Sequence, residues 1–111
     1  MNNINHPIAI LNTSILTAEG EYTLQSITLA EARELVSENP VLSAIGHQST
    51  ADILTELLGI DISMNRINFE QQVGQKVLVF KLNGRPQEGK ILTRDEIEVI
   101  GYKFQLLLRE K

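Results

Sequence analysis

The sequence predicts a single small α/β domain: a mixed, largely parallel sheet of about five strands flanked by three helices. Three observations carry that expectation. Ile8-Ala9-Ile10-Leu11 and Val77-Leu78-Val79-Phe80 are short continuous apolar runs, as in strands covered on both faces. Thr28-Leu29-Ala30-Glu31 and Thr93-Arg94-Asp95-Glu96 are capping boxes ahead of helically spaced apolar residues. These signals alternate along 111 residues, which suits one domain spanning 1–111 with a core of its own.

Taken in order, residues 1 to 6 read as a polar tail in which His6 is solvated. The first strand, Ile8 to Leu11, ends in Asn12-Thr13-Ser14. Those three small polar residues make either a turn held by side-chain bonds or a ligand-lining edge, since open α/β sheets bind ligands at strand carboxyl ends. After Gly20, Tyr22 to Ile27 reads as extended. Thr28 then caps a helix over 29 to 38, with Leu29, Ala32, Leu35 and Val36 on its apolar face and Asn39-Pro40 as its stop. Val41 to Ile45 is a second short strand. Ser49 is the expected N-cap of the next helix, which buries Leu54, Leu57 and Leu58 and stops at Gly59. Around Asn65-Arg66, Ile62, Met64, Ile67 and Phe69 suggest an edge strand. Gln75 to Leu82 is the clearest strand. Residues 83 to 90 form a polar loop framed by Gly84 and Gly89, read as a solvated connection or a lid. A third helix starts at Thr93 and ends at Gly101. A last strand places Phe104, Leu106 and Leu108 on one face. The segment from 83 to 101 is long enough for a crossover between parallel strands.

Chemistry concentrates at Ile45-Gly46-His47-Gln48-Ser49-Thr50. A strand end, a glycine turn and a helix start leave backbone N–H groups pointing outward, and the helix dipole favours an anion there. A histidine beside bound phosphate can move protons near neutral pH, although the same residue also serves as a plain hydrogen-bonding group at a helix start. Arg66 reads as a surface residue or a phosphate contact.

Composition narrows the function class. The net charge of −4 disfavours a duplex DNA binder, which presents a basic face to many phosphates. A small phosphorylated ligand stays possible. With no cysteine, disulfides and thiolate metal sites are excluded; two histidines leave little material for any metal centre. No stretch is long and apolar enough for a membrane span, and the first residues lack the features of a signal peptide, so a cytoplasmic protein is expected.

Ile45-Gly46-His47-Gln48-Ser49-Thr50, Asn65-Arg66 and Gly84-Arg85-Pro86-Gln87-Glu88-Gly89-Lys90-Ile91-Leu92-Thr93 together resemble a family of small viral proteins. These are the anti-CRISPR ring nucleases of archaeal viruses and bacteriophages, with relatives in prophages, mobile elements and some CRISPR loci. The resemblance covers nearly the whole chain. It implies a homodimer that binds cyclic tetra-adenylate across its two-fold axis and cuts it, without metal or other cofactor, to linear di-adenylates. It also implies a catalytic His47 with Arg85 and Glu88 from the active-site loop. Ser49 and Thr50 match the helix start that contacts ligand, and Asn12 matches a polar strand edge, with Thr13 and Ser14 beside it. Lys81 stands where some members have glutamine. In the implied chemistry the ribose 2′-hydroxyl attacks phosphorus, protonated His47 serves the leaving group and Arg85 clamps the phosphoryl oxygens. Glu88 orients His47 or Arg85, or accepts the 2′-hydroxyl proton. The competing reading is a non-catalytic module of the same fold that sequesters a cyclic nucleotide or regulates a partner.

Overall fold

Apolar alternation along the strands sorts side chains onto two faces of one sheet, and only one of those faces is covered by helices. The computed structural model describes residues 6–84 and 92–111. Its elements run β1 (Ile8–Asn12), β2 (Tyr22–Ile27), α1 (Leu29–Glu38), β3 (Val41–Ser43), α2 (Gln48–Leu58), β4 (Lys76–Leu82), α3 (Arg94–Ile100) and β5 (Tyr102–Arg109). The sheet order is β2-β5-β4-β1-β3. β1 pairs in parallel with both β3 and β4, whereas β5 is antiparallel to β4 and to β2. The sheet is therefore evenly mixed rather than largely parallel.

The crossover expected between residues 83 and 101 does not form. β4 of seven residues extends roughly 23 Å, while α3 of seven residues rises only about 10 Å. Gly101, at φ +85°, turns the chain at once into β5, so that Tyr102 lies opposite Leu82. β5 therefore runs back beside β4 in the antiparallel sense.

Both capping boxes form. The Thr28 hydroxyl accepts from the Glu31 amide at 3.1 Å while Glu31 accepts from the Thr28 amide at 3.0 Å, and Thr93 and Glu96 do the same at 3.2 and 3.1 Å. Helix α2 carries the main buried stripe, with Ala51, Ile53, Leu54, Leu57 and Leu58 all buried. Each of its large aliphatic side chains contributes roughly 2 kcal/mol by leaving water. They pack with Ala32 and Val36 of α1, Ile97 of α3, and Ile8, Ile10, Leu78, Phe80 and Phe104 of the sheet.

Ala9, Leu11, Val77, Val79 and Leu107 point to the other face and are equally buried. Among the described residues no helix lies there. Residues 60–75, which include the stretch expected as an edge strand, instead form an irregular strap around the β3 edge. Ile62 packs with the helix-side core, and Phe69 packs on the opposite face. Ile62 and Phe69 thus serve two different cores, while Met64 and Ile67 stay exposed. That is why the stretch forms no strand. Gln71 and Gln75 anchor the far end: the Gln71 side chain donates to the carbonyls of Gln75 and Leu107, and that of Gln75 to the carbonyl of Pro7. In β5 the deepest residues are Phe104 and Leu107, one for each face, so the expected Phe104-Leu106-Leu108 stripe is only half of its burial.

Candidate functional site

Strands β1 and β3 run parallel, so their carboxyl ends lie at the same edge of the sheet, and α2 begins there. The Ala44 amide still donates to the Ile10 carbonyl at 3.1 Å, after which the chain leaves the sheet through Gly46. Helix α2 starts at Gln48, and its N-cap is His47 rather than the expected Ser49. The reason is the early turn: His47 is extended (φ −131°, ψ 133°) and its carbonyl already accepts from the Ala51 amide at 3.1 Å. Ser49 therefore lies one residue inside the helix, half-buried, and Thr50 is buried.

Three helix starts can be compared. Those of α1 and α3 are closed by capping boxes with an acid in the first turn. At α2 the N-cap imidazole makes no capping bond and the first turn holds no acid. Asp52 is not a cap; it accepts from the Gln48 side chain at 2.8 Å, on the outside of the helix. The first amides of α2 thus face outward with the positive end of the helix dipole, beside an exposed His47.

The strap sets the geometry of this turn. Asn65 donates its backbone amide to the Ile45 carbonyl at 2.7 Å and its side-chain amide to the Ser43 carbonyl at 2.8 Å. Ser43 donates its hydroxyl to the Ser63 carbonyl at 2.6 Å. Arg66 donates Nε to the Gly46 carbonyl at 2.8 Å from an exposed side chain. A histidine and an arginine 19 positions apart in the chain are thereby fixed to one glycine turn. Sequence reasoning had grouped them only by resemblance, and it missed Ser43 and Asn65 as the residues that hold the turn. No local signal reports a bond between residues so far apart.

At the β1 end, Asn12 is exposed in the last strand position and Ser14 is exposed just beyond. Between them Thr13 takes φ +70°, with its amide bonded to the Phe80 carbonyl at 3.0 Å. A β-branched residue in the left-handed region costs about 1–2 kcal/mol, and such strain tends to gather at functional edges. Lys81 lies at the matching end of β4, directly opposite Lys103 of β5, both exposed. Like charges opposite one another across a ladder repel, so this corner of the sheet favours an anion. Lys103 carried no signal of its own in the sequence. Arg85 and Glu88, the remaining expected catalytic residues, lie outside the described residues.

A groove of about 800 Å³ on the helix-free face adjoins the turn, bounded by Leu11, Ile15, Ala44, Ile67 and Phe69. His47, Ser49 and Thr50 do not line it. Among the described residues no group of three or more His, Cys, Asp or Glu side chains could hold a metal ion, and no helix is long and apolar enough to cross a membrane.

Comparison with known proteins gives this arrangement relatives. A Bacillus subtilis (strain 168) protein, the uncharacterized protein YddF, is 39% identical over 104 residues, spanning 92% of this chain and 96% of that protein. The uncharacterized protein 26 of Sulfolobus islandicus filamentous virus (isolate Iceland/Hveragerdi) is 38% identical over 102 residues, covering 87% and 86% of the two chains. In structure, B116 of Sulfolobus turreted icosahedral virus superposes with a TM-score of 0.79 at 19% identity, over 94% of this chain and 100% of B116, and so shares the fold. The STIV B116-like family matches residues 8–104, from the first strand into the last, and the chain belongs to that family.

Proposed function

We propose that this protein is a metal-independent ring nuclease that opens cyclic tetra-adenylate into linear di-adenylates and so switches off type III CRISPR signalling. The observation that carries the reading is the start of α2. There an uncapped helix end meets His47, beside an arginine tied to the same turn. The resemblance of the His47, Asn65-Arg66 and Gly84–Thr93 motifs to viral ring nucleases supplies the substrate. Kinship with an archaeal-virus protein fits the setting.

The chemistry follows from RNA itself. A ribose 2′-hydroxyl is a built-in nucleophile and can attack the adjacent phosphorus while the bond to the 5′-oxygen breaks. The enzyme must hold the in-line geometry, stabilise charge on the phosphoryl oxygens and return a proton to the leaving oxygen. The α2 amides at Ser49 and Thr50 seat the phosphate, and Arg66 adds a charge-assisted contact. Protonated His47 gives its proton to the 5′-oxygen as general acid. Asn12 and Ser14 contact the ligand from the β1 edge. By the same resemblance Arg85 clamps the non-bridging oxygens, and Glu88 positions His47 or Arg85 or takes the 2′-hydroxyl proton. The products end in 2′,3′-cyclic phosphates. A homodimer that places two His47 side chains on one four-fold ring cuts opposite linkages and releases two identical dinucleotides.

The test is incubation with cyclic tetra-adenylate in EDTA, products resolved by mass spectrometry, with His47→Ala alongside. Di-adenylate with a cyclic phosphate end, absent from the variant, is the expected result. Intact ring bound by both proteins would identify a sequestering module, and ring that neither binds nor breaks would overturn the reading.

A further inference from the structure

The two edges of the sheet are finished differently. β3 is three residues long, and the strap bonds to it through Ser43 and Asn65. β2 is six residues, Tyr22-Thr23-Leu24-Gln25-Ser26-Ile27, in unbroken register with β5 and mostly exposed. It contains no charge, no proline and no bulge, the devices that usually prevent an edge from pairing.

The hydrogen-bond phase says which groups face outward. Glu21 uses both its groups toward the β5 side: its amide donates to the Lys111 carbonyl and its carbonyl accepts from the Glu110 amide. Antiparallel ladders alternate, so Thr23, Gln25 and Ile27 also point inward to β5. Tyr22, Leu24 and Ser26 then present both N–H and C=O to the open edge. The Arg109 amide, bonded to Gln75 on the β4 side, agrees with that phase. Leu24 is also one of the large apolar side chains left exposed, at 45%, and it lies on the helix-free face opposite Leu107.

We propose that β2 is a self-association edge, with a second copy of this chain pairing antiparallel to it about a two-fold axis through Leu24. Any register centred on a residue of β2 joins outward groups with outward groups, and only centring on Leu24 uses all three outward residues. Leu24 exchanges both backbone bonds with Leu24 of the second copy, and Tyr22 exchanges both with Ser26. The axis stands perpendicular to the sheet, so each face continues into its equivalent and the two exposed leucines meet. Thr23 comes opposite Gln25, and Glu21 opposite Ile27, so no like charges face each other. Since β2 and β3 are opposite edges, this contact is separate from any pairing that shares the α2 site, and neither stands or falls with the other.

The chain has no cysteine, which makes a single introduced thiol a clean reporter. In the proposed register the Leu24→Cys thiols sit on directly opposed residues, with Cα atoms about 5.5 Å apart, within disulfide reach. The Ser26→Cys thiols are offset by four positions, roughly 14 Å, and out of reach. Mild oxidation of the otherwise unmodified proteins, both checked for native far-UV circular dichroism, should cross-link Leu24→Cys at least about tenfold more than Ser26→Cys. Equal cross-linking, or none from a folded Leu24→Cys protein, would overturn the proposal. In the unmodified chain, amide exchange at Tyr22, Leu24 and Ser26 should slow as protein concentration rises; fast exchange at every concentration would overturn it equally.

Discussion

Asn65→Ala removes one hydrogen bond from the strap and tests whether that bond shapes the His47 turn. The lost contact is the side-chain amide to the Ser43 carbonyl, 2.8 Å long and partly buried. The backbone bond from Asn65 to Ile45 survives the change. A neutral bond contributes about 1 kcal/mol net, and the Ser43 carbonyl left behind has partial access to water, so its desolvation adds little. The expected destabilisation is about 1–1.5 kcal/mol, a fall in Tm of roughly 4–8 °C for a domain near this size. Urea and thermal unfolding followed by circular dichroism measure it. Asn65→Asp should cost more, because it turns a carboxylate oxygen toward the Ser43 carbonyl. A loss below about 0.5 kcal/mol for Asn65→Ala would mean that the strap is not held at this point. A loss comparable to a core truncation, above about 3 kcal/mol, would mean that Asn65 supports the core instead, and would equally refute the reasoning.

Further expectations concern caps, strain and charge. Thr28→Ala and Thr93→Ala should each cost about 1 kcal/mol, whereas His47→Ala, whose side chain makes no capping bond, should cost under about 0.5 kcal/mol while abolishing ring cleavage; parallel urea titrations and product assays separate the two effects. Thr13→Asn, better suited to φ +70°, should raise stability by about 0.5–1 kcal/mol, and a Tm that falls would show that the Thr13 side chain earns its strained position through contacts. On α3, hydrogen bonds from Arg94 and then Tyr102 hold the Glu98 carboxyl below its ordinary value of 4.5. A depressed carboxylate favours the folded state above its unfolded pKa and loses that advantage as pH falls through the folded one. The unfolding midpoint of Glu98→Gln should therefore lie slightly below that of the parent at pH 7, and the gap should close as pH falls through the lowered folded-state value; a gap that persists once the carboxyl is fully protonated would contradict the assignment.

Much of this protein was legible without coordinates wherever neighbouring residues settle the matter. The Thr28 and Thr93 boxes, the Gly59 and Gly101 stops, and the apolar runs at Ile8–Leu11 and Val77–Phe80 act within a few residues of themselves, and each appears where expected. The turn at Gly46-His47 is legible for the same reason: strand, glycine and helix start are consecutive. The departures come from choices that depend on distant partners. Residues 62 to 69 alternate like a strand, yet Ile62 and Phe69 belong to opposite faces, and only the packed sheet makes a strap around its edge more favourable than another strand. The direction of β5 shows only in its pairing, antiparallel to both β4 and β2, partners far from it in sequence. The N-cap moved from Ser49 to His47 because the β1–β3 ladder ends at Ala44 and sets where the chain must turn. Local chemistry therefore determined which elements exist and where His47 falls. Tertiary structure alone decided which face each element covers and which far-off residues hold that histidine, because burial and long-range hydrogen bonds arise only once the chain has closed on itself.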